Sequence, residues 1–219
     1  MPQATLDSAP VAATLNRLHE AARGDWKHML TLAPRYLLSM STGRDFMPKD
    51  PASLRHVYVP VSREQGRLMH LMARAVRARH IVEFGASFGI STLYLASAAK
   101  DNGGALVTTE IEPTKIEATR RSLAEAGLDD VVTLLEGDAR ETLKTLDGPV
   151  DFLFLDGMKP MYVEVLELLR ERLTPSALVV ADNVEHPSAR AYTELVRDPK
   201  SGFESSTLFG GRLELSRLA

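Results

Sequence analysis

Oxygen-bearing side chains follow two apolar runs of strand length in the second half of this 219-residue chain. Asp156 comes directly after residues 152–155, and Asp182 and Asn183 come directly after residues 177–181. Two carboxylates and an amide oxygen are ligand types that hard cations such as Mg²⁺ prefer. If the two runs end at the same edge of a sheet, these side chains can form a metal site there.

The segment between the two runs determines whether they share an edge. Residues 163–173 have helical apolar periodicity and about the length that a β-α-β crossover needs. Strands joined in this way are parallel, so their carboxyl ends meet at the edge where open α/β sheets bind ligands. Lys159 lies three residues after Asp156 and can serve as a base at this edge. The pattern therefore predicts a hard-cation site with a base beside it.

Strands and helices alternate along the chain from residue 80 onwards. The predicted strands are residues 81–84, 105–110, 131–135, 150–155 and 177–181, and the predicted helices are residues 90–99, 113–126, 139–146, 161–173 and 187–196. Two further short strands, residues 203–208 and 212–216, flank a Gly-Gly turn and predict an antiparallel hairpin. The alternation predicts an α/β fold with a mostly parallel, doubly wound sheet and helices on both faces.

The first sixty residues have a different pattern and are predicted to form a helical cap on a catalytic domain of residues 61–219. Helices are expected from about residue 11 and over residues 26–40, followed by a loop rich in proline and glycine. A further helix is expected over residues 62–77. Its predicted apolar stripe consists of Leu68, Leu71, Met72, Ala75 and Val76.

A glycine turn separates the first predicted strand from its helix. Gly85 and Gly89 allow a tight turn and leave helix amides free for a polar ligand. The dinucleotide fingerprint needs a glycine where Ser87 stands, so an NAD-dependent oxidoreductase is disfavoured. Glu110 ends the second strand, where an acidic side chain can accept ribose hydroxyls. Asp138, after the third strand, either caps the following helix or meets an adenine amine.

This combination resembles the class I S-adenosylmethionine-dependent methyltransferases and, within them, the cation-dependent O-methyltransferases that include catechol O-methyltransferase. The resemblance extends from about residue 59 to about residue 184. Its motifs are VPVSREQGRLM, EFGASFGIS, TTEIEP, EGDA, FLFLDGMKPMY and VVADNV. The last two together are the most specific, and they imply a Rossmann-like class I methyltransferase fold.

The resemblance assigns a role to each candidate residue. It implies that the methionine part of S-adenosylmethionine contacts Glu83, Gly85, Ser91 and the backbone near Val61. It places the ribose at Glu110 and the adenine near Asp138 and Ala139. Asp156 is implied as a further cofactor contact. It implies that Asp156, Asp182 and Asn183 hold Mg²⁺ or another divalent cation such as Mn²⁺ or Ca²⁺, and that Lys159 is the base. The implied reaction is Mg²⁺-dependent methylation of one hydroxyl of a small catechol-like aromatic by a homodimeric enzyme.

The chain departs from the family pattern on the acceptor side. Gly157-Met158 stands where many bacterial and plant relatives carry Ala-Asp and the animal catechol enzyme carries His-Trp. A flat aromatic wall is therefore missing, and tight catechol specificity is in doubt. The one nearby candidate for the glutamate that holds a second catechol hydroxyl is Glu204. Arg212, at the final hairpin, could instead favour an acidic substrate.

A tRNA hydroxyuridine O-methyltransferase is the main alternative, because similar enzymes methylate RNA on the same scaffold. Five arginines crowd one predicted helix and its end, at positions 63, 67, 74, 77 and 79, and RNA binding needs such a clustered basic face. The net charge of −3 and the pI of about 6.1 nevertheless argue against a surface of bulk positive charge. A small-molecule acceptor is therefore the favoured partner, and tRNA remains an alternative.

Composition excludes several further classes. Hydrophobic residues make up 44% of the chain and charged residues 25%, as in a globular protein with a sizeable core. The absence of cysteine excludes a disulfide scaffold, a zinc–thiolate site and a cysteine nucleophile. The amino terminus has no signal-peptide pattern and no apolar run reaches transmembrane length, so a cytoplasmic protein without a membrane partner is expected.

Overall fold

Seven strands form one mixed sheet in the computed structural model, which describes residues 4–48 and 50–219. They are β1 (His80–Phe84), β2 (Ala105–Glu110), β3 (Val132–Glu136), β4 (Val150–Leu155), β5 (Leu173–Ala181), β6 (Phe203–Leu208) and β7 (Leu213–Leu218). Their order is β3-β2-β1-β4-β5-β7-β6. Strands β1 to β5 are parallel, and β7 runs antiparallel to both of its neighbours. The predicted doubly wound sheet with an antiparallel hairpin at its end is confirmed.

Eight α-helices surround this sheet in the described residues. They are α1 (Ala9–Gly24), α2 (Trp26–Thr42), α3 (Arg63–Ala75), α4 (Ile90–Asn102), α5 (Pro113–Ala126), α6 (Ala139–Thr142), α7 (Tyr162–Leu169) and α8 (Arg190–Arg197). Helices α6 and α7 are shorter than predicted, because each passes into a 3₁₀ turn, at Leu143–Thr145 and Arg170–Arg172. None of these helices is long and apolar enough to cross a membrane.

The sheet is buried on both faces, and strand β4 shows why its sequence is continuously apolar. Phe152 and Phe154 pack into one core cluster, whereas Leu153 and Leu155 pack into the cluster on the opposite face. A strand covered on both sides has no solvent-facing positions, so alternation disappears. Helix α1 contributes Val11, Leu15 and Leu18 to the first of these clusters. The proposed division of the chain near residue 60 stays a prediction.

The apolar stripe predicted for helix α3 is wrong at Leu71 and Ala75, whereas Met72 and Val76 pack half-buried against the core cluster. Leu71 is exposed, and the buried face instead consists of Gln65, Gly66, Met69, His70 and Ala73. A β-carbon at Gly66 would overlap the ring of Tyr94, so close packing of the helix requires glycine at this position. The face that packs against helix α4 is therefore rich in small and polar residues, which hydrophobic periodicity cannot identify.

Burial of His19 predicts a loss of stability in mild acid. Its side chain is 7% exposed, and its Nε2 lies 3.3 Å from the hydroxyl of Tyr94. Burial, assisted by the charges of Arg63 and Arg23, lowers the pKa of His19 to about 4. The unfolded chain therefore binds this proton at a higher pH than the folded chain does. The stabilising contribution is complete above about pH 6.5 and is lost as the pH falls towards 4.

Replacing His19 by glutamine should remove part of this pH dependence. The wild type should lose on the order of 1–2 kcal/mol from this residue by about pH 5. Thermal unfolding at neutral and mildly acidic pH measures the effect, at roughly 2–4 °C per kcal/mol for a chain of this size. Burial also lowers the pKa values of His70 and His186, so some dependence should persist in the variant. An unchanged acid shift in His19→Gln would contradict the assignment.

Candidate active site

The candidate residues converge because neighbouring parallel strands end side by side. Leu155 at the end of β4 pairs with Phe84 of β1 on one side and with Ala181 of β5 on the other. The next residue after each strand therefore lies at one edge. This places Gly85, Asp156 and Asp182 next to one another, as the sequence pattern predicts.

Gly85 stands where two loops meet backbone to backbone. Its φ is +99°, and a β-carbon there would lie 2.8 Å from the amide nitrogen and Cα of Gly157. A β-carbon at Gly157 would in turn overlap the ring of Phe84. The bulky aromatic residue before the glycine turn thus explains why position 157 carries glycine in this chain.

Replacing Gly85 by alanine should destabilise the protein by about 2–4 kcal/mol, because positive φ and the Gly157 contact are penalised together. The matched control is Gly148→Ala. Gly148 also has positive φ, at +90°, but a β-carbon there would meet nothing within 4 Å. Denaturant unfolding of both variants separates the backbone cost from the contact cost. Equal destabilisation of the two would show that the contact between the loops contributes nothing.

Glu110 connects the end of β2 to the glycine turn. Its Oε2 accepts a hydrogen bond from the amide of Ser87 at 2.8 Å, and its Oε1 accepts from the amides of Ile111 and Glu112, both at 2.9 Å. An ionised carboxylate offers about four acceptor positions. One position, on Oε2, is therefore left for a ligand, rather than the two that a pair of ribose hydroxyls would use.

Glu83 lies fully buried beneath the turn. Its Oε2 accepts hydrogen bonds from the hydroxyls of Thr92 and Thr108, both at 2.6 Å. Its Oε1 is buried and has no hydrogen-bond partner among the described residues. Burial raises the pKa of Glu83 above its ordinary value. The neighbouring candidates Ser91 and Val61 are also buried, and the hydroxyl of Ser91 opposes the rise in the pKa of Glu83. Oε1 can therefore accept a hydrogen bond from a ligand donor or from Ser91.

Asp138 caps helix α6, which confirms one of its two sequence-based interpretations. Its Oδ1 accepts from the amide of Arg140 at 2.9 Å, and the guanidinium of Arg140 binds both oxygen atoms. Arg140 lowers the pKa of Asp138. Ala139 is buried at the first position of the helix. Contact of Asp138 with adenine stays a prediction.

Ile111 is a candidate that sequence reasoning missed. It directly follows Glu110, and its side chain is 46% exposed although it is large and apolar. An apolar side chain beside a hydrogen-bonding carboxylate can cover one face of a flat ring. The signal that could have found it is its position immediately after the strand end.

Asp156 and Lys159 form an ion pair on the other side of the turn. The Nζ atom of Lys159 lies 3.2 Å from Oδ1 of Asp156 and 3.2 Å from the carbonyl oxygen of Gly157. Burial raises the pKa of Asp156 to about 7, the charge of Lys159 opposes the shift, and the charge of Asp182 adds to it. The buried ring of Tyr162 packs beside the amine, with Nζ 5.6 Å from its centroid.

Asp182 is almost completely buried, and Arg212 binds it through two atoms. Nε of Arg212 donates to Oδ1 at 2.9 Å, and Nη2 donates to Oδ2 at 3.1 Å. Oδ1 also accepts from the amide of Asn183 at 2.8 Å and from Nε2 of Gln65 at 3.3 Å. Asn183 itself has a left-handed backbone, with φ of +55°. Within the described part of the chain, no three His, Cys, Asp or Glu side chains form a potential metal cluster.

Of two acids near the hairpin, Glu185 lies closer to the site than the predicted Glu204 does. Glu204, proposed to hold a second hydroxyl, lies on β6, is 67% exposed and pairs with Arg217. Arg217 is five residues along β7 from Arg212, or about 16 Å at strand spacing, so Glu204 is not at the site. Glu185 is closer, since its charge raises the pKa of Arg212. Its Oε1 lies 3.3 Å from the hydroxyl of Tyr36 in helix α2.

Comparisons with known proteins agree with this geometry. Residues 82–184 match a family described as a methyltransferase domain. The chain is 33% identical to a catechol O-methyltransferase of Niastella koreensis over 68% of this chain and 64% of that protein. It is 37% identical to a catechol O-methyltransferase of Mycobacterium tuberculosis over 58% of this chain and 57% of that protein. The chain thus spans less than two thirds of either relative.

A solved structure extends the likeness to three dimensions. It is an O-methyltransferase from Streptomyces achromogenes involved in tomaymycin synthesis, in complex with S-adenosylmethionine. The TM-score is 0.66 at 28% identity, and the match covers 85% of this chain and 98% of that one. The two chains therefore share a fold over most of their length.

Proposed function

The chain belongs to the class I O-methyltransferase family, and we propose that it transfers the methyl group of S-adenosylmethionine to a hydroxyl oxygen of a small aromatic acceptor. The observation that carries this proposal is the division of one sheet edge into two halves. Glu83 and Glu110 offer free acceptor positions on one side of Gly85, and the Asp156–Lys159 pair lies on the other side.

The first half fits a cationic cofactor. S-adenosylmethionine supplies a methyl group on a positively charged sulfur, and its methionine part carries an ammonium group that can donate hydrogen bonds. The unpartnered Oε1 of Glu83 provides a buried acceptor for such a donor. The free position on Glu110 provides another acceptor for a ribose hydroxyl. The cofactor-bound structure from Streptomyces achromogenes supports the same choice of ligand.

The second half can take the proton that the acceptor oxygen must lose. At rest, Asp156 and Lys159 form an ion pair. The carboxylate of Asp156 can accept the hydroxyl proton, which leaves a carboxylic acid beside the ammonium of Lys159. Because burial raises the pKa of Asp156, this doubly protonated pair is accessible near neutral pH. The pair therefore acts as the base, with Lys159 as a necessary member.

The expected Mg²⁺ does not fit the donor set in this arrangement. Asp182 accepts three hydrogen bonds on Oδ1 and one on Oδ2, and Arg212 binds both oxygen atoms, so a metal ion would have to compete with the guanidinium. Asp156 already has Lys159 as its cation. No step of the proposed reaction therefore passes through a metal ion.

We favour a small aromatic acceptor of the catechol type over tRNA. The two named relatives are catechol O-methyltransferases, whereas the basic helix is partly neutralised. Arg67 lies 3.8 Å from Asp7, and Arg74 lies 3.9 Å from Asp101. These pairs leave α3 without the continuous basic face that RNA binding needs.

A screen with labelled S-adenosylmethionine tests the proposal. The purified chain is offered catechols, monohydroxylated aromatics, hydroxycinnamates and bulk tRNA, each with and without Mg²⁺. We expect label to enter at least one small aromatic as a base-stable methyl ether. Transfer to tRNA alone would favour the alternative. Absence of both transfer and S-adenosylmethionine binding in calorimetry would overturn the proposed function.

A further inference from the structure

Arg212 binds the carboxylate of Asp182, which the expected metal ion would need as a ligand. The strand pairing fixes its position, because the amide of Val184 donates to the carbonyl oxygen of Arg212 at 2.9 Å. Residue 212 is thereby held beside the end of β5, and its guanidinium binds both oxygen atoms of Asp182. Such two-point pairs are among the strongest hydrogen-bonded contacts in proteins.

Two carboxylates at this edge already have side-chain cations. Asp182 has Arg212 as its partner, and Asp156 has Lys159, while the carboxylate of Glu185 also acts on Arg212. A divalent cation would have to displace the guanidinium, and would then carry excess positive charge next to it in a buried environment. The repulsion between such charges is large where water is excluded.

We propose that Arg212 supplies the fixed positive charge that a divalent cation supplies in the cation-dependent members of this family, and that Asp182 positions Arg212 rather than a metal. This inference rests on the proposed function. It makes methyl transfer independent of divalent cations. Asp182 is then a positioning residue, and Arg212 is the group that touches the acceptor.

The free edge of Arg212 defines the class of acceptor. A guanidinium has five N–H groups, and two of them are committed to Asp182. The side chain is 38% exposed, so the remaining donors can reach an oxygen of a bound molecule. A donor pair of this kind recognises a phenolate, carboxylate or carbonyl oxygen near the hydroxyl that is methylated. Two vicinal hydroxyls, which chelation of a metal requires, are therefore not needed.

Binding of Mn²⁺ to the chain without cofactor or acceptor tests the inference independently of any activity. Electron paramagnetic resonance of free Mn²⁺ and calorimetry should detect no specific site in the wild type up to about 1 mM. Arg212→Gln frees two acceptor positions on Asp182 and should raise Mn²⁺ affinity at least about tenfold. The matched control is Arg217→Gln, on the strand that begins directly after Arg212 but paired with exposed Glu204, which should behave like the wild type.

Measurements of activity and folding form the second part of the test. Once an acceptor is identified, the wild-type rate should be the same within about twofold in excess chelator and in Mg²⁺. Arg212→Gln should be slowed by roughly 10²-fold or more, the usual effect of losing a donor to a developing oxyanion, and Mg²⁺ or Mn²⁺ should restore part of the rate. Unfolding curves and S-adenosylmethionine affinity establish that the variant is folded.

Several results would overturn the inference. Wild-type binding of Mn²⁺ in the micromolar range, abolished by Asp182→Asn, would make Asp182 a metal ligand despite its arginine. Complete loss of wild-type turnover in chelator, with recovery on adding Mg²⁺, would have the same meaning. If no acceptor is methylated under any condition, the proposed function fails. The Mn²⁺ titrations still decide whether Arg212 prevents a divalent cation from binding to Asp182.

Discussion

Replacing Lys159 by methionine should slow methyl transfer near neutral pH by roughly 10²- to 10⁴-fold, the usual contribution of a positioned general base. Methionine keeps the bulk of the side chain and removes the amine. Asp156 then loses the charge that holds its pKa down, while burial and Asp182 continue to raise it. A carboxyl group that is protonated at rest cannot accept the acceptor proton, so both members of the pair are disabled by one change.

The pH profile distinguishes this role from a structural one. A phenolic hydroxyl ionises with a pKa of about 10 without help, so raising the pH should recover part of the lost rate. Affinity for S-adenosylmethionine should change little, because the amine lies on the acceptor side. Lys144→Met is the matched control, since Lys144 also pairs with an acid three residues away but is exposed.

Two outcomes would contradict the assignment of Lys159. A variant with the wild-type rate and the wild-type pH profile would show that the pair takes no part in proton transfer. A variant that lost cofactor binding would show that the amine belongs to the other half of the edge. Equal effects of the Lys159 and Lys144 substitutions would point to a change in global stability.

The fold could be predicted from the sequence because its strands are buried on both faces. Continuous apolar runs such as β4 can be placed between turns by composition alone, and β2, β4 and α5 begin and end at the predicted residues. Helix α3 could not be predicted in the same way. Its buried face depends on the ring of Tyr94 against Gly66, a contact between elements that periodicity does not record.

The same limit applies to the candidate site. Side chains at the ends of parallel strands are brought together by topology, so Asp156 and Asp182 could be predicted as neighbours. The partner of Asp182 depends on the register of the antiparallel strand β7. That register follows from the turn at Phe209–Gly211, where three successive residues have positive φ. The position of Arg212 beside Asp182 therefore depends on the geometry of this turn, which a Gly-Gly pair in the sequence does not specify.

The two halves of the edge differ in charge in a way that suits the proposed reaction. On the cofactor side, Glu110 accepts hydrogen bonds only from backbone amides among the described residues, although its charge also acts on buried Lys115. On the acceptor side, Asp156 and Asp182 each have a bonded cation. A positively charged sulfonium is attracted to the first half, whereas a developing phenolate is attracted to the second.

Replacing Glu110 by alanine should weaken S-adenosylmethionine binding by about 10- to 100-fold, the effect of losing one hydrogen bond to a charged group. The structure leaves one acceptor position on Oε2 for the ligand, because the amides of Ser87, Ile111 and Glu112 use the others. Calorimetric titration measures the loss. Glu136→Ala is the control, since Glu136 pairs with Glu110 in the strand register but is exposed and bound to Arg120.

A second ligand separates loss of the ligand bond from loosening of the glycine turn. An analogue of S-adenosylhomocysteine that lacks the ribose hydroxyls should bind the wild type more weakly, by about the factor that Glu110→Ala costs for the intact ligand. The variant should bind both ligands almost equally, because the hydroxyl then has no carboxylate to meet. This cycle isolates the pairwise interaction. If the variant discriminates between the ligands as strongly as the wild type does, Glu110 supports the turn through Ser87 and does not bind the ribose.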